Sequence, residues 1–232
     1  MIKVIGHRGY SEKYKENTIT AFTEAFKAGA DYVKTDVQLT SCGKVILHHG
    51  YVVKGMSIPI IKATYEEILL FDRDIPLLEN LLSLLAKEFP DKGVYLELKD
   101  RAVVNKTLEI VKKYDAFGRV VFGSFDLCVI EEVKRIEPEA KVSLLLGTVF
   151  PFEDVLPLAV KKKIDFLHPC WEQRAYKPQS LLTERDVLLC KERGIDIVLW
   201  HEERVEVLKD IIQLPVWGIC TNDVSLLVKI LE

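Results

Sequence analysis

The sequence predicts an α/β chain folded as a (β/α)8 TIM barrel, with a small insertion between its second and third barrel strands. Short β-branched runs alternate with amphipathic stretches eight times along the chain, the pattern of a parallel sheet with crossover helices. At 232 residues the chain is close in size to such barrels, which usually run to about 250. Its first turn reads Gly6-x-x-Gly9, which is not the G-x-G-x-x-G fingerprint of a dinucleotide-binding open sheet. A single domain spanning 1–232 is expected, since no linker, internal repeat or low-complexity stretch interrupts the alternation.

The first strand is Ile2–Ile5, three of whose four residues are β-branched. Glu16-Asn17-Thr18 opens the first helix, Thr18–Ala28, with Asn17 or Thr18 as its N-cap. Ile19, Phe22, Ala25 and Phe26 form its apolar stripe, and Gly29 stops it. Asp31–Val37 is the second strand. Lys44–His48 then adds a hairpin-like strand and residues 51–76 a long excursion, the kind of insertion that serves as a lid or binding loop. Helix Leu78–Glu88 leads to the third strand, Gly93–Leu98. Helix Val103–Tyr114 and strand Arg119–Phe122 follow, then Leu127–Ile136 and Lys141–Leu145. Helix Glu153–Lys162 precedes strand Asp165–Leu167, and helix Thr183–Arg193 precedes strand Asp196–Trp200. Helix Val205–Ile212, strand Val216–Cys220 and helix Val224–Leu231 complete eight repeats.

Composition narrows the function classes. A formal net charge of −3 gives no basic field for nucleic acid or an anionic membrane. The five cysteines form no C-x-x-C pair, so neither a disulfide framework nor a zinc ribbon is implied. Cys128, Cys190 and Cys220 lie in apolar stretches and read as buried thiols of a reducing cytoplasm, while Cys170 follows a strand end and could line a pocket. No apolar run nears the roughly 18 residues of a membrane span, and a strand starting at Ile2 leaves no leader. A cytoplasmic protein is therefore expected, with no indication of its oligomeric state.

Chemistry-bearing residues collect at the C-terminal ends of the predicted strands, where active sites of such barrels lie. His7 and Arg8 leave the first strand between Gly6 and Gly9, glycines that let the chain turn sharply and a ligand approach. Lys34 and Asp36 share one face of the second strand, and Tyr95, Glu97 and Lys99 share one face of the third. His48 ends the extra strand, and Trp200 ends the seventh. His48 and His49 are neighbours, so only one of them can enter the site; the expectation is His48. His168 and His201 are placed on the rim. Two imidazoles for proton transfer, with cations to hold non-bridging oxygens, form the inventory that phosphodiester cleavage needs.

The blocks Gly6-His7-Arg8-Gly9, Glu16-Asn17-Thr18, Asp36-Val37-Gln38-Leu39-Thr40, His48, Pro76-Leu77-Leu78-Glu79, Leu96-Glu97-Leu98-Lys99, Ser124-Phe125, Trp200 and Gly218-Ile219-Cys220-Thr221 occur in order. Over nearly its whole length the chain resembles glycerophosphodiester phosphodiesterases. The resemblance implies hydrolysis of small glycerophosphodiesters to glycerol 3-phosphate and an alcohol. It implies His7 and His48 as the acid–base pair, Arg8 and Lys99 as phosphate-binding cations, Trp200 near the glycerol, and Asp36 and Glu97 as two of three acidic ligands for a divalent cation, Mg²⁺ or Ca²⁺. The chain departs from the family at Lys34, where Glu is usual, at His49 and Asn222, where Asp is usual, and at Lys15, where Pro is usual.

An ammonium at position 34 weakens any site for a hard cation. Three arrangements stay open. A metal still binds Asp36 and Glu97, or Lys34 replaces it as a clamp on the phosphate, as a basic side chain does in the similar bacterial phosphatidylinositol-specific phospholipases. In the third, the barrel is a catalytically impaired phosphate-ester binding protein. A metal-independent enzyme of phospholipase type is the companion alternative, with Ile58-Pro59-Ile60-Ile61 facing a lipid chain.

Overall fold

The computed structural model describes residues 1–147, 152–169 and 182–232. Eight parallel strands close into a barrel: β1 (Lys3–His7), β2 (Tyr32–Leu39), β4 (Gly93–Leu98), β5 (Val120–Ser124), β6 (Lys141–Leu146), β7 (Phe166–Pro169), β8 (Asp196–Leu199) and β9 (Gly218–Thr221). Parallel pairing of β1 with both β2 and β9 closes the ring. The short β3 (Val45–Leu47) is antiparallel to the far end of β2, with Val37 opposite Leu47 and Leu39 opposite Val45. Each strand agrees with its predicted span to within a few residues. Cys170 lies outside the described residues.

Helices α1 (Ile19–Lys27), α3 (Leu78–Lys87), α4 (Val104–Lys113), α5 (Leu127–Ile136), α6 (Phe152–Lys161), α7 (Glu184–Glu192), α8 (Val205–Ile211) and α9 (Val224–Leu231) form the outer layer. Their apolar faces pack on the outward residues of the strands, such as Val33, Val37, Leu96 and Phe122. Inside the barrel, Ile5, Tyr95, Val121, Leu145, Phe166, Val198 and Trp200 make a second, smaller core. Charged residues at the mouth therefore stand on an apolar plug.

The insertion carries its own core. Ile46, Val53, Ile60, Ala63, Ile68 and Ile75 pack together, and the short helix α2 (Tyr65–Leu69) starts with a Thr64–Glu67 capping box. Ile60 is buried in this cluster, whereas Ile58 and Ile61 are exposed. At the start of α1, Thr18 is the N-cap, accepting from Ala21 N. Cys128 differs from expectation. The helical period turns Val129, Ile130 and Val133 inward and leaves Cys128 exposed, while Cys190 and Cys220 are buried. Among the described residues no helix is long and apolar enough to cross a membrane.

Candidate active site

Strands β1, β2 and β4 deliver a buried charge cluster. The β2–β4 register sets Lys34 opposite Tyr95 and Asp36 opposite Glu97, and the two-residue repeat puts all four on the inner face. Lys34 Nζ is ion-paired with Glu97 Oε2 and lies 4.0 Å from Asp36 Oδ1. Lys99, just beyond β4, places Nζ 2.9 Å from Asp36 Oδ1 and 2.6 Å from Glu97 Oε1. Arg8 Nε is 3.5 Å from Asp36 Oδ2, and its Nη1 donates to Glu16 Oε2 at 2.7 Å. Three cations thus face two buried carboxylates, with the half-exposed Glu16 carboxylate as a third on Arg8.

Burial opposes ionisation of Asp36, yet Lys34, His49, Lys99 and Arg8 outweigh it and hold the carboxyl well below its ordinary range. Burial likewise opposes the Lys34 ammonium, but Glu97 and Asp36 prevail and raise its pKa. Asn17, whose backbone is left-handed with φ 55°, turns its side chain inward instead of capping α1. Its Nδ2 donates to Asp36 Oδ2 at 3.2 Å, and its Oδ1 accepts from Thr35 Oγ1 at 2.8 Å.

His7 is buried at the end of β1. Its Nδ1 meets Asn222 Oδ1 at 2.8 Å, which leaves Nε2 as the acceptor nitrogen, and Nε2 is buried without a hydrogen-bond partner. Desolvation, then the charges of Lys34, Arg8 and His201, push its pKa well below 6.5. Its ring lies 6.0 Å from that of Trp200 and stacks at 4.7 Å on that of His201.

The adjacent histidines part company beyond β3. His48 Nδ1 lies 2.8 Å from the Gly50 carbonyl, and the ring borders a small hollow with Glu16, Asn17, Asp72 and Asp74. His49 Nδ1 lies 3.3 Å from both Asp36 Oδ1 and Lys99 Nζ. His49, with Arg8, Tyr51, Glu97, Lys99, Phe125 and Trp200, lines the mouth pocket of about 520 Å³. Trp200 faces Lys34 Nζ at 5.5 Å from its ring centre.

His168 is not on the rim. It is fully buried, 2.9 Å from Tyr95 Oη through Nδ1, because the inward face of β7 carries it into the barrel.

A divalent cation needs several free oxygen ligands. Here Asp36 and Glu97 are both saturated by ammonium groups, with Lys34 in the third acidic position. Among the described residues no three His, Cys, Asp or Glu side chains form a metal-holding group. As paired, this donor set does not fit Mg²⁺ or Ca²⁺.

The sequence reading places several members of the site elsewhere. Asn17 there is one of two cap candidates with Thr18, His49 a neighbour left out of the site and His201 a rim residue. Tyr51, whose hydroxyl approaches the Lys99 carbonyl at 3.4 Å, brings the insertion to the pocket. The one signal for it was the length of the insertion.

The fold and site define a closed TIM barrel whose strand ends bring paired cations and carboxylates, with His49, to one mouth pocket. The sequence pattern of the Glycerophosphoryl diester phosphodiesterase family matches residues 7–226. The chain belongs to this family of phosphoric diester hydrolases. It is 29% identical to a glycerophosphodiester phosphodiesterase of Caldanaerobacter subterraneus, across 99% of this chain and 97% of that one. The crystal structure of a Thermotoga maritima glycerophosphodiester phosphodiesterase superposes with a TM-score of 0.82 at 29% identity, covering 99% of this chain and 98% of that one. An Oleispira antarctica phosphodiesterase, solved with its product sn-glycerol-3-phosphate, shares the fold at a TM-score of 0.82 and 18% identity, covering 99% and 96%.

Proposed function

We propose that this chain hydrolyses glycerophosphodiesters to glycerol 3-phosphate and an alcohol, with the Lys34 ammonium standing where a divalent cation would otherwise sit. The observation that carries the reading is the position of Lys34 between Glu97 and Asp36 beneath the pocket. Arg8 and Lys99 hold the non-bridging oxygens, and the buried Lys34 charge backs them from behind the pocket wall. Fixed charges in a partly dry site stabilise the charge that grows on them as the bond breaks. Trp200 gives the glycerol an apolar wall.

His7 is the proton acceptor in this reading. Burial and the charges of Lys34 and Arg8 favour its neutral form, its Nδ1–H is held by Asn222, and its buried Nε2 has no hydrogen-bond partner. The attacking oxygen bonds to phosphorus and passes its proton to His7 Nε2. The opposite P–O bond breaks, and the departing alkoxide takes a proton from the second imidazole. His48 fills that role, with Nδ1 tied to the Gly50 carbonyl and Nε2 left for the proton. One observation favours a second version. His49 is the imidazole in the pocket wall beside Lys99, and there it serves as the acid.

The test is release of glycerol 3-phosphate from glycerophosphocholine by protein dialysed against EDTA. Turnover undiminished by chelation, and abolished in His7→Ala, is expected. Loss of turnover on chelation with recovery in Mg²⁺ or Ca²⁺ would return the metal to the site. Ligand binding without turnover in any buffer would leave the barrel as a phosphate-ester binding protein.

A further inference from the structure

Behind His7 lies a polar assembly that the chemistry above does not use. Glu203, beyond β8, is its hub. Its Oε2 is 2.9 Å from His201 Nδ1, and its Oε1 accepts the Asn222 backbone N–H at 2.6 Å. Thr221 Oγ1 also donates to Oε1, at 3.4 Å. Asn222 Oδ1 meets His7 Nδ1 and accepts from Ser11 Oγ at 2.9 Å, while its Nδ2, a donor, lies 3.1 Å from His201 Nδ1, a contact that a proton on that nitrogen opposes and that the shorter approach of the Glu203 carboxylate outweighs. The rings of His7 and His201 overlap face to face, 4.7 Å apart with 24° between their planes. One carboxylate therefore fixes both the histidine stacked on His7 and the backbone of the asparagine that orients it.

A carboxylate at hydrogen-bond distance favours the protonated form of an imidazole. Two stacked imidazoles cannot both be charged cheaply at this separation. Of the two rings, His201 has the Glu203 carboxylate beside it, whereas among the described residues His7 faces Lys34 from β2, Arg8 from its own strand end and His201, together with the neutral groups of Asn222 and Trp200.

We propose that His201 is a positioning residue for His7: held as an imidazolium by Glu203 and stacked on the His7 ring, it favours the unprotonated form of His7, whose Nε2 is then free to accept. The proposal rests on the reading of His7 as proton acceptor. It adds that a charge outside the phosphate pocket contributes to the lower pH limit at which that acceptor works. The lowered pKa of His7 is consistent with it, with His201 among the causes after burial, Lys34 and Arg8.

The experiment follows the His7 ring by NMR titration in the whole protein and in two variants, alongside the pH profile of kcat/KM on glycerophosphocholine. His201→Phe keeps a flat ring in the stack and removes the charge. The His7 midpoint should rise by about one pH unit, the scale of a nearby unit charge partly offset by its own carboxylate. The acid limb of kcat/KM should move with it. His201→Arg restores a stacked cation opposite Glu203 and should bring both back. A ring that merely fills space predicts no movement in the Phe variant, and an unchanged His7 midpoint there would overturn the proposal. So would failure of the Arg variant to restore it. A midpoint that moves while the acid limb stays fixed would uphold the coupling and remove His7 from the role of base.

Discussion

Lys34 and Glu97 form an ion pair inside the barrel mouth, their side chains 1% and 4% exposed. Removing one partner of a buried pair strands the other charge, at a cost of about 3–5 kcal/mol. This pair also shares its site with Lys99 and Asp36, so the four charges form one unit.

Lys34→Glu is the direct probe of that unit. The change puts three carboxylates around Lys99, and turnover should become dependent on Mg²⁺ or Ca²⁺, with little activity in EDTA. Calorimetric titration with either ion should show binding to the variant and none to the parent chain. An ion-independent variant would sink the idea that Lys34 takes the place of a cation.

The two adjacent histidines are separable by parallel substitution. Loss of a general acid lowers turnover by roughly 10²–10⁴-fold. That loss is expected in His48→Ala, while His49→Ala should chiefly raise KM by loosening Lys99. The reverse pattern of kcat effects would assign the acid to the residue in the pocket wall.

Acid stability should follow the buried histidines. His7 and His168 both have folded pKa values well below 6.5, in each case through burial first and the Lys34 charge second. The unfolded chain binds these two protons at higher pH than the folded one. Stability is therefore full above about pH 6.5 and falls as the pH drops below it. Each group contributes a slope of about 1.4 kcal/mol per pH unit until its folded value is reached. Denaturant unfolding between pH 7 and pH 5 measures this, and a flat profile would show that both rings take up their protons at the same pH in the folded as in the unfolded chain. Lowering of the Asp36 pKa adds a further loss only below the ordinary carboxylate range.

Gly9→Ala tests the turn that carries His7 and Arg8. Gly9 has φ 87°, and a Cβ there would sit 2.6 Å from the Ala21 backbone carbon in α1. Strain and clash together should cost at least 2 kcal/mol, by order of magnitude, and lower Tm by several degrees. An unperturbed melting curve would mean the turn can relax without moving α1.

The barrel was legible because periodicity is local. Runs such as Val94–Leu98 and Val120–Phe122 announce strands regardless of what packs on them, and the insertion announced itself by length. The charged core of the site was legible for a related reason. Lys34, Asp36 and Glu97 are ionic residues in otherwise apolar strands, and such a pattern has to be paired. What escaped depends on where the backbone goes after regular structure ends. Whether His48 or His49 reaches the pocket is decided by the chain beyond Leu47, where period-two reasoning no longer applies. Asn17 is a cap in sequence and an Asp36 partner in space because its left-handed backbone turns the side chain inward. His201, Glu203 and Asn222 come from two separate strand ends, and no spacing brings them together on paper.

Strand β2 leads two lives. Its first half is a stave of the barrel against β1, and its last residues, Val37 to Leu39, bond to β3. Gln38 reaches on to the carbonyls of His48 and Gly50, and Leu47 N bonds to Pro76 O at the far end of the insertion. The near foot of the insertion is thus riveted directly to the stave that bears Lys34 and Asp36, and the far foot is held to it through β3. So anchored, the insertion is expected to act as a fixed porch and not a swinging door, with molecules sorted at this entrance by fit against a standing frame.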